Sequence, residues 1–143
     1  MNIKQISVFI ENKKGRLAEI TKTLAQNDID ISALSIADTT EFGILRLIVN
    51  KPEPAESVLK QKGLAVKATD VIAISVANQP GGLAAALEKL DSEHISIEYM
   101  YAFVGGTTKE ALVVLRVEEA DKAVKVLKEG GISVVSEHEA GII

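Results

Sequence analysis

The chain has 143 residues, of which 47% are apolar and 25% charged, an ordinary composition for one globular domain or two small ones. It has no cysteine, which excludes a disulfide framework, a thiolate metal site and a cysteine nucleophile, and which fits a cytoplasmic protein. The net charge of −4 argues against a nucleic-acid partner, and no stretch approaches the roughly 18 apolar residues of a membrane span.

The first half of the chain alternates strand-like and helix-like patterns. Apolar residues recur at every second position in QISVFI, which predicts a strand, and at helical spacing over residues 15–26, which predicts an amphipathic helix. The order continues with a strand over residues 29–36, the hairpin ADTTEFG, the strand ILRLIVN, a helix over residues 53–61 ended by Gly63, and the strand LAVKAT.

The second half repeats this order, with strand VIAISVA, helix 82–90, strand ISIEYMYAF, hairpin VGGTTKE, strand ALVVLRV, helix 119–128 and strand ISVVSE. A shift of 66 residues superimposes Asn12 on Asn78, Gly15 on Gly81, and Leu17 on Leu83. After a short insertion the match resumes with Arg46 on Arg116. We therefore infer an internal duplication with domains at residues 1–69 and 70–143.

The order βαββαβ, twice, predicts an α+β fold of two ferredoxin-like units, each an antiparallel sheet with both helices on one face. Strand follows strand near Asp70 without a flexible linker, so we expect the units to pack as a rigid pair. The strands ILRLIVN and ALVVLRV are apolar on both faces, which leaves a second sheet face to be covered by the other repeat or by a second chain.

Charge also favours contact between unlike halves. Residues 1–69 carry 10 basic and 8 acidic side chains, a net +2, whereas residues 70–143 carry 6 and 12, a net −6. Together with the apolar second face, this asymmetry makes a homodimer the expected assembly.

A polar turn with a glycine stands between the first strand and the first helix of each copy, as ENKKGRL at Glu11 and as ANQPGGL at Ala77. Glycine keeps side chains away from the start of a helix, whose unpaired N–H groups and positive dipole end attract anions. Asn12 and Asn78 add an amide that can accept from an amino group or donate to a carboxylate. A tight turn without a ligand is the alternative.

A strand, then Asn-x-Pro-Gly-x-Leu opening a helix, then an Ile-x-Ile strand resembles the ACT domain, a small regulatory module that binds amino acids. NQPGGL followed by HISI matches this pattern. NKKGRL followed by DIDI matches it except at Lys14, where the pattern has proline. The resemblance covers the whole chain as two ACT units and leaves no catalytic domain over.

The resemblance implies that a ligand binds between paired ACT units, held by the glycine turn of one unit and by the start of the second strand of the other. Carried over by position, the ligand-binding residues are Asn12, Gly15, Arg16, Leu17, Ile29 and Ile31 in the first copy, and Asn78, Pro80, Gly81, Gly82, Leu83, Ile95 and Ile97 in the second. Because Lys14 and Arg16 make the first turn basic, the two sites are not expected to be equivalent, and the second turn is the better match.

Catalysis and metal binding find little support in the sequence. Acylphosphatases share the ferredoxin-like fold and hold phosphate with an Arg and an Asn, for which Arg16 and Asn12 are the candidates here. The second copy has Gly82 in place of the arginine, which argues against such an enzyme. His94 and His138 occupy unlike positions in the two copies, so neither a metal nor a cofactor is expected.

Tyr99, Tyr101 and Phe103 are three of the five aromatic residues and face the same side of one strand. Base stacking on them is rejected because Glu98 and an acidic half surround them. One hypothesis is that these three side chains pack in a core or an interface. The other is that they border the ligand pocket, with Tyr99 nearest to it.

From the residues and the resemblance together we expect a stand-alone tandem ACT protein, not an enzyme, that binds an amino acid and regulates a separate enzyme. A ligand-free accessory or assembly subunit is the alternative.

Overall fold

The computed structural model describes residues 2–38, 41–105 and 109–142, so parts of both predicted hairpins lie outside the described residues. Along the chain the elements are β1 Ile3–Glu11, α1 Arg16–Gln26, β2 Ile31–Asp38, β3 Phe42–Val49, α2 Pro52–Gln61, β4 Ala65–Ala77, α3 Gly82–Ser92, β5 Ile97–Ala102, β6 Glu110–Val117, α4 Ala120–Glu129 and β7 Ser133–Val135. They form two compact units, one mainly Lys4–Thr69 and the other mainly Asp70–Gly141.

In the first unit the strands are hydrogen-bonded in the order β2-β3-β1, and both pairs are antiparallel. β1 pairs with β3 so that Val8 lies opposite Leu45 and Phe9 opposite Ile44. β2 joins the other edge of β3, with Ala37 opposite Ile44, after a register shift between Ile31 and Ala33.

The second unit has the order β7-β4-β6-β5, again antiparallel throughout. Ala73 on β4 lies opposite Val114 on one side and Val135 on the other. β5 shows the same shift as β2, here between Ile97 and Tyr99. The predicted fold class, two ferredoxin-like βαββαβ units, is confirmed.

Each unit has a core between one face of its sheet and its two helices. In the first unit the core consists of alternate residues of β1 and β3 packed on α1 and α2: Ile6, Val8, Ile10, Leu45, Leu47, Val49, Ile20, Leu24, Ala55 and Leu59, together with Ile29. In the second unit Ile72, Ile74, Val76, Val113, Leu115 and Val117 pack in the same way on Ala86, Leu90, Ala123 and Leu127. The period of two along each strand therefore places the helices on one face, as predicted.

The sheet face turned away from the helices is only partly exposed. Ile48 of β3 and Val114 of β6 point to this face and are fully buried within the single chain. Towards the other end of the first unit's sheet, Phe9 is 46% exposed and Phe42 is 59% exposed. The exposed apolar area of this face is therefore smaller than the sequence indicates.

Three details of the sequence interpretation differ from the structure. LAVKAT and VIAISVA are one continuous strand, β4, and the final strand spans only Ser133–Val135. The predicted equivalence of Arg46 with Arg116 is wrong: the strand registers place Arg46 opposite Ser7 and Val114 opposite Ala73, so Val114 is the counterpart of Arg46. β3 and β6 are apolar on both faces, so their sequences lack the alternation of apolar and polar residues that would have fixed their register.

None of the helices in residues 2–38, 41–105 and 109–142 is long and apolar enough to cross a membrane.

The two cores predict a matched pair of destabilised variants. Leu24 and Leu90 occupy equivalent positions on α1 and α3, and both are fully buried. Leu24→Ala and Leu90→Ala should each lower the free energy of unfolding by about 2 to 5 kcal/mol, because each removes buried apolar area and leaves a cavity. Urea denaturation measures the loss.

Leu17→Ala is the control, since Leu17 is 40% exposed on the same helix as Leu24. It should change the free energy of unfolding by no more than about 0.5 kcal/mol. A loss below about 1 kcal/mol for either core variant would contradict the packing described.

Candidate functional site

The two glycine turns have the same backbone geometry. Gly15 and Gly81 are both left-handed, with φ of 82° and 88°, and each is the residue before its helix. Matching hydrogen bonds close the turns: Arg16 N–H donates to Lys13 O at 3.2 Å, and Gly82 N–H donates to Gln79 O at 3.0 Å. The pattern repeats upstream, where Asn12 N–H donates to Glu41 O and Asn78 N–H to Lys109 O. The turn therefore has the same backbone conformation and hydrogen bonds in both copies.

The first turn of each helix leaves backbone donors unused. The helix bonds begin with Glu19 N–H to Gly15 O and with Ala85 N–H to Gly81 O. The N–H groups of Leu17 and Ala18, and those of Leu83 and Ala84, donate to no backbone acceptor among the described residues. Such groups lie at the positive end of the helix dipole, where a carboxylate is stabilised.

One position makes the two turns chemically different. A Cβ built on Gly82 would overlap the carbonyl oxygen of Ala77, so a side chain cannot stand there. The equivalent position in the first turn holds Arg16, whose side chain is 25% exposed and whose Nη1 lies 3.4 Å from Glu19 Oε2. The first helix start therefore carries a cation, while the second presents bare backbone.

A cleft of about 430 Å³ opens beside the second turn. It lies between the turn itself, at Pro80, Gly81 and Gly82, and the segment that enters β7, at Gly131 and Ile132. Ser75 also lines it, and the Oγ of this serine is buried without a hydrogen-bond partner among the described residues. An unsatisfied buried hydroxyl can donate to or accept from a bound polar group.

The first unit has the corresponding cleft, of about 340 Å³, but with different chemistry. Arg16 and Lys62 line it, together with Glu11. A hydrogen bond from Lys13, and then the charge of that lysine, hold the pKa of Glu11 below its usual range, and the two groups lie 2.8 Å apart. Because the pKa is lowered, the pair persists above it and is lost only as the pH falls through that lowered value.

The strand starts form two further cavities at the other end of α1 and α3. One of about 560 Å³ is lined by Asp91, His94, Ile95 and Ile97 with Leu87 and Ser96, and its smaller counterpart of about 260 Å³ includes Asp28 and Ile29. Asp28 and His94 are both left-handed, each with φ of 57°. Within one unit the turn and the strand start are therefore separated by a helix of 11 residues, roughly 16 Å at 1.5 Å per residue.

The structure thus brings together only part of the predicted set. Pro80, Gly81 and Gly82 share one cleft, Arg16 lines the equivalent cleft, and Ile95 and Ile97 share the cavity at the start of β5. The remaining residues do not line these clefts: Asn12, Gly15, Leu17, Asn78 and Leu83 lie in the turns or on the helices that follow them, and Ile31 starts β2.

Tyr99, Tyr101 and Phe103 point to the sheet face away from α3 and α4, as their pairing partners show: Tyr99 lies opposite Arg116 and Tyr101 opposite Val114. All three are partly buried. Tyr99 does not line the cavity that contains Ile95 and Ile97. Its predicted part in a ligand pocket stays a prediction.

Sequence reasoning missed the residues that the rest of the unit contributes. Ser75, Lys62 and Ile132 line the clefts but lie far along the chain from the turns or outside the motif. The available signal was the repeated glycine at Gly63 and Gly131, both left-handed, of which the sequence interprets only Gly63, as the end of a helix. In the part of the chain that the structure describes, no three His, Asp or Glu side chains group to hold a metal ion.

Comparisons with known proteins identify relatives of the chain. The sequence model of a family described as an ACT domain pair matches residues 1–142. The crystal structure of a protein from Bacteroides thetaiotaomicron is 43% identical and superimposes with a TM-score of 0.93, over 100% of this chain and 98% of that one. A search of curated proteins finds no match.

More distant structures share the fold. The regulatory subunit of aspartate kinase from Thermus thermophilus is 16% identical with a TM-score of 0.65, over 89% of this chain and 91% of that one. The regulatory subunit of aspartate kinase from Thermus flavus is 16% identical with a TM-score of 0.64, over 92% and 94%.

The close approach at Gly82 predicts an asymmetry between equivalent positions. Gly82→Ala should lower the free energy of unfolding by about 1 to 3 kcal/mol, because the added methyl group overlaps the carbonyl of Ala77. Arg16→Ala changes the equivalent residue, where a Cβ is already accommodated, and should cost less than Gly82→Ala because it creates no overlap with the backbone. Chemical denaturation measures the free energy of unfolding of both variants. Equal losses in the two variants would contradict a close backbone approach at Gly82 that the first turn lacks.

Proposed function

The chain belongs to the ACT domain family, and on that premise we propose that it is a regulatory protein that binds an amino acid between ACT units. The second glycine turn carries the proposal. It has unused N–H groups at Leu83 and Ala84 and bare backbone at Gly82, and a cleft of about 430 Å³ lies beside it, lined by Gly81 and Gly82. A carboxylate is the ligand group that such a helix start favours, because the donors and the dipole both act on negative charge.

The other half of this site comes from a second ACT unit. The turn at Gly81 and the strand start at Ile95 lie at opposite ends of α3, so one unit cannot present both to a ligand as small as an amino acid. We therefore propose a homodimer whose ACT units, residues 1–69 and 70–143, pair turn to strand start. In this pairing Ile95 and Ile97, at the start of β5, contact the ligand through their backbone groups, and Tyr99 lies close to it.

Regulation acts on a separate protein in this proposal. A ligand changes the activity of a partner only if it binds one arrangement of the units better than another. The fold that the chain shares with aspartate kinase regulatory subunits supports an enzyme as the partner. We assign no catalytic role to the chain itself, and we expect it to act in the cytoplasm.

An assembly subunit without a ligand is the second candidate function, and one observation favours it. On the edge strand β2, Leu34 is 39% exposed and Ile36 is 46% exposed. An edge strand with apolar side chains is suited to pairing with another chain. In that case the glycine turns would serve only to start the helices.

A proline scan of the helix starts tests the ligand site. Ala84 is the third residue of α3, and Pro54 is the third residue of α2, so a proline is compatible with this position of a helix in this protein. Ala84→Pro removes one unused N–H group. The melting temperature is measured against each of the twenty amino acids, and at 100 times its Kd a ligand should stabilise the native protein by about 2.7 kcal/mol.

We expect a rise in melting temperature for one or a few amino acids, and Ala84→Pro should reduce it. Ala18→Pro makes the same change at the start of α1 and is the matched control, since it leaves the second turn intact. A rise that Ala84→Pro does not affect would place the ligand elsewhere. No rise for any amino acid would favour the assembly subunit.

A further inference from the structure

The aromatic side chains Phe9 and Phe42 mark a surface that only the first unit has. They are 46% and 59% exposed. The equivalent positions of the second unit hold Ser75 and Glu110, each opposite the same partner position in its sheet. The fold therefore does not require aromatic rings at these positions.

Two cavities meet at these rings. The first is the cleft of about 340 Å³ that contains Arg16 and Lys62, and Phe9, Ile10 and Phe42 line it. The second, of about 320 Å³, shares the same three residues and is completed by Ala37, Gly43 and Ile44, so that its wall is almost wholly apolar. One side of the aromatic pair is thus cationic and the other is hydrophobic, and both lie within a single unit.

Arg16 and Lys62, the two cations of the polar cleft, have unused capacity for hydrogen bonds and ion pairs. The Nε of Arg16 is buried and has no hydrogen-bond partner among the described residues, and its Nη1 reaches Glu19 only at 3.4 Å. Such a distance is beyond that of a good N–H···O bond. The ammonium group of Lys62 forms no ion pair with a described residue. Glu11, the carboxylate in this cleft, is paired with Lys13 at 2.8 Å and has a weaker charge interaction with Arg16.

We propose that this bipartite cleft is a binding site for a small carboxylic acid with an apolar body. The carboxylate lies at Arg16 and Lys62, where a guanidinium can donate two parallel hydrogen bonds, and the apolar part packs on the exposed rings of Phe9 and Phe42. The second unit lacks both features: Gly82 stands where the first has Arg16, and Gly130 precedes Gly131 as Lys62 precedes Gly63. The cleft is complete within one unit, so the proposal does not depend on pairing of ACT units or on the ligand of the second turn.

Phenylacetate is a suitable probe, because it joins a carboxylate to an apolar ring, while phenylacetamide lacks the charge and acetate lacks the ring. Each is titrated into ¹⁵N-labelled full-length protein and followed by the amide signals near Phe9 and Gly63. Phenylacetate should shift these signals saturably, and the Kd should rise with salt concentration. Phenylacetamide should bind about tenfold more weakly or worse, because charge-assisted hydrogen bonds are lost.

Variants assign the two halves of the cleft. Arg16→Gln and Lys62→Gln should each raise the Kd for phenylacetate, the first by about tenfold or more. The double variant Phe9→Ser and Phe42→Glu installs the residues of the second unit and should abolish binding. Lys22→Gln is the control, because Lys22 is exposed on α1 but does not line the cleft.

Equal affinities for phenylacetate and phenylacetamide would overturn the proposal, as would an unchanged Kd in Arg16→Gln. Sedimentation of the same samples tests whether a second copy of the chain occupies the rings. If the wild type is a dimer and the double variant a monomer, Phe9 and Phe42 form an interface between copies and the proposal is wrong.

Discussion

The structure depends on a left-handed glycine that turns each unit from its first strand into its first helix. Residues with a Cβ pay roughly 1 kcal/mol or more to adopt this conformation, whereas glycine adopts it freely. Because Gly15 and Gly81 take it with φ of 82° and 88°, only a short turn separates each strand from its helix, and the N–H groups of the second and third helical residues have no backbone acceptor among the described residues. The same turn opens a cleft against the segment that enters the last strand, so that fold and candidate site have one origin.

The residues around this shared turn differ between the two copies, so the two helix starts differ in chemistry. Gly82 keeps the second helix start bare because it lies against the carbonyl of Ala77. Arg16 and Lys62 place two positive charges in the first cleft, beside the carboxylate of Glu11. The same turn therefore stands in two different chemical environments, one lined by cations and one presenting bare backbone, and the two sites are proposed to differ for this reason.

Much of the fold was predictable from sequence, because alternation, helical spacing and the repeated Gly turn are local signals. Both glycine positions, all four helices of the described residues and the ferredoxin-like order follow from them. The register of β3 and β6 was not predictable, since strands apolar on both faces carry no alternation. The pairing of Arg16 with Lys62 in one cleft was missed for another reason: these residues are 46 positions apart and meet only through the tertiary fold.

The central claim is that the second turn binds a carboxylate through backbone N–H groups, and amide chemical shifts test it most directly. With the amino acid that stabilises the protein, or with an equimolar mixture of the twenty, the ¹⁵N signals of Leu83 and Ala84 are followed alongside those of Leu17 and Ala18. The account predicts saturable shifts at Leu83 and Ala84 that exceed those at the first turn. Saturable shifts elsewhere with Leu83 and Ala84 unmoved would contradict it.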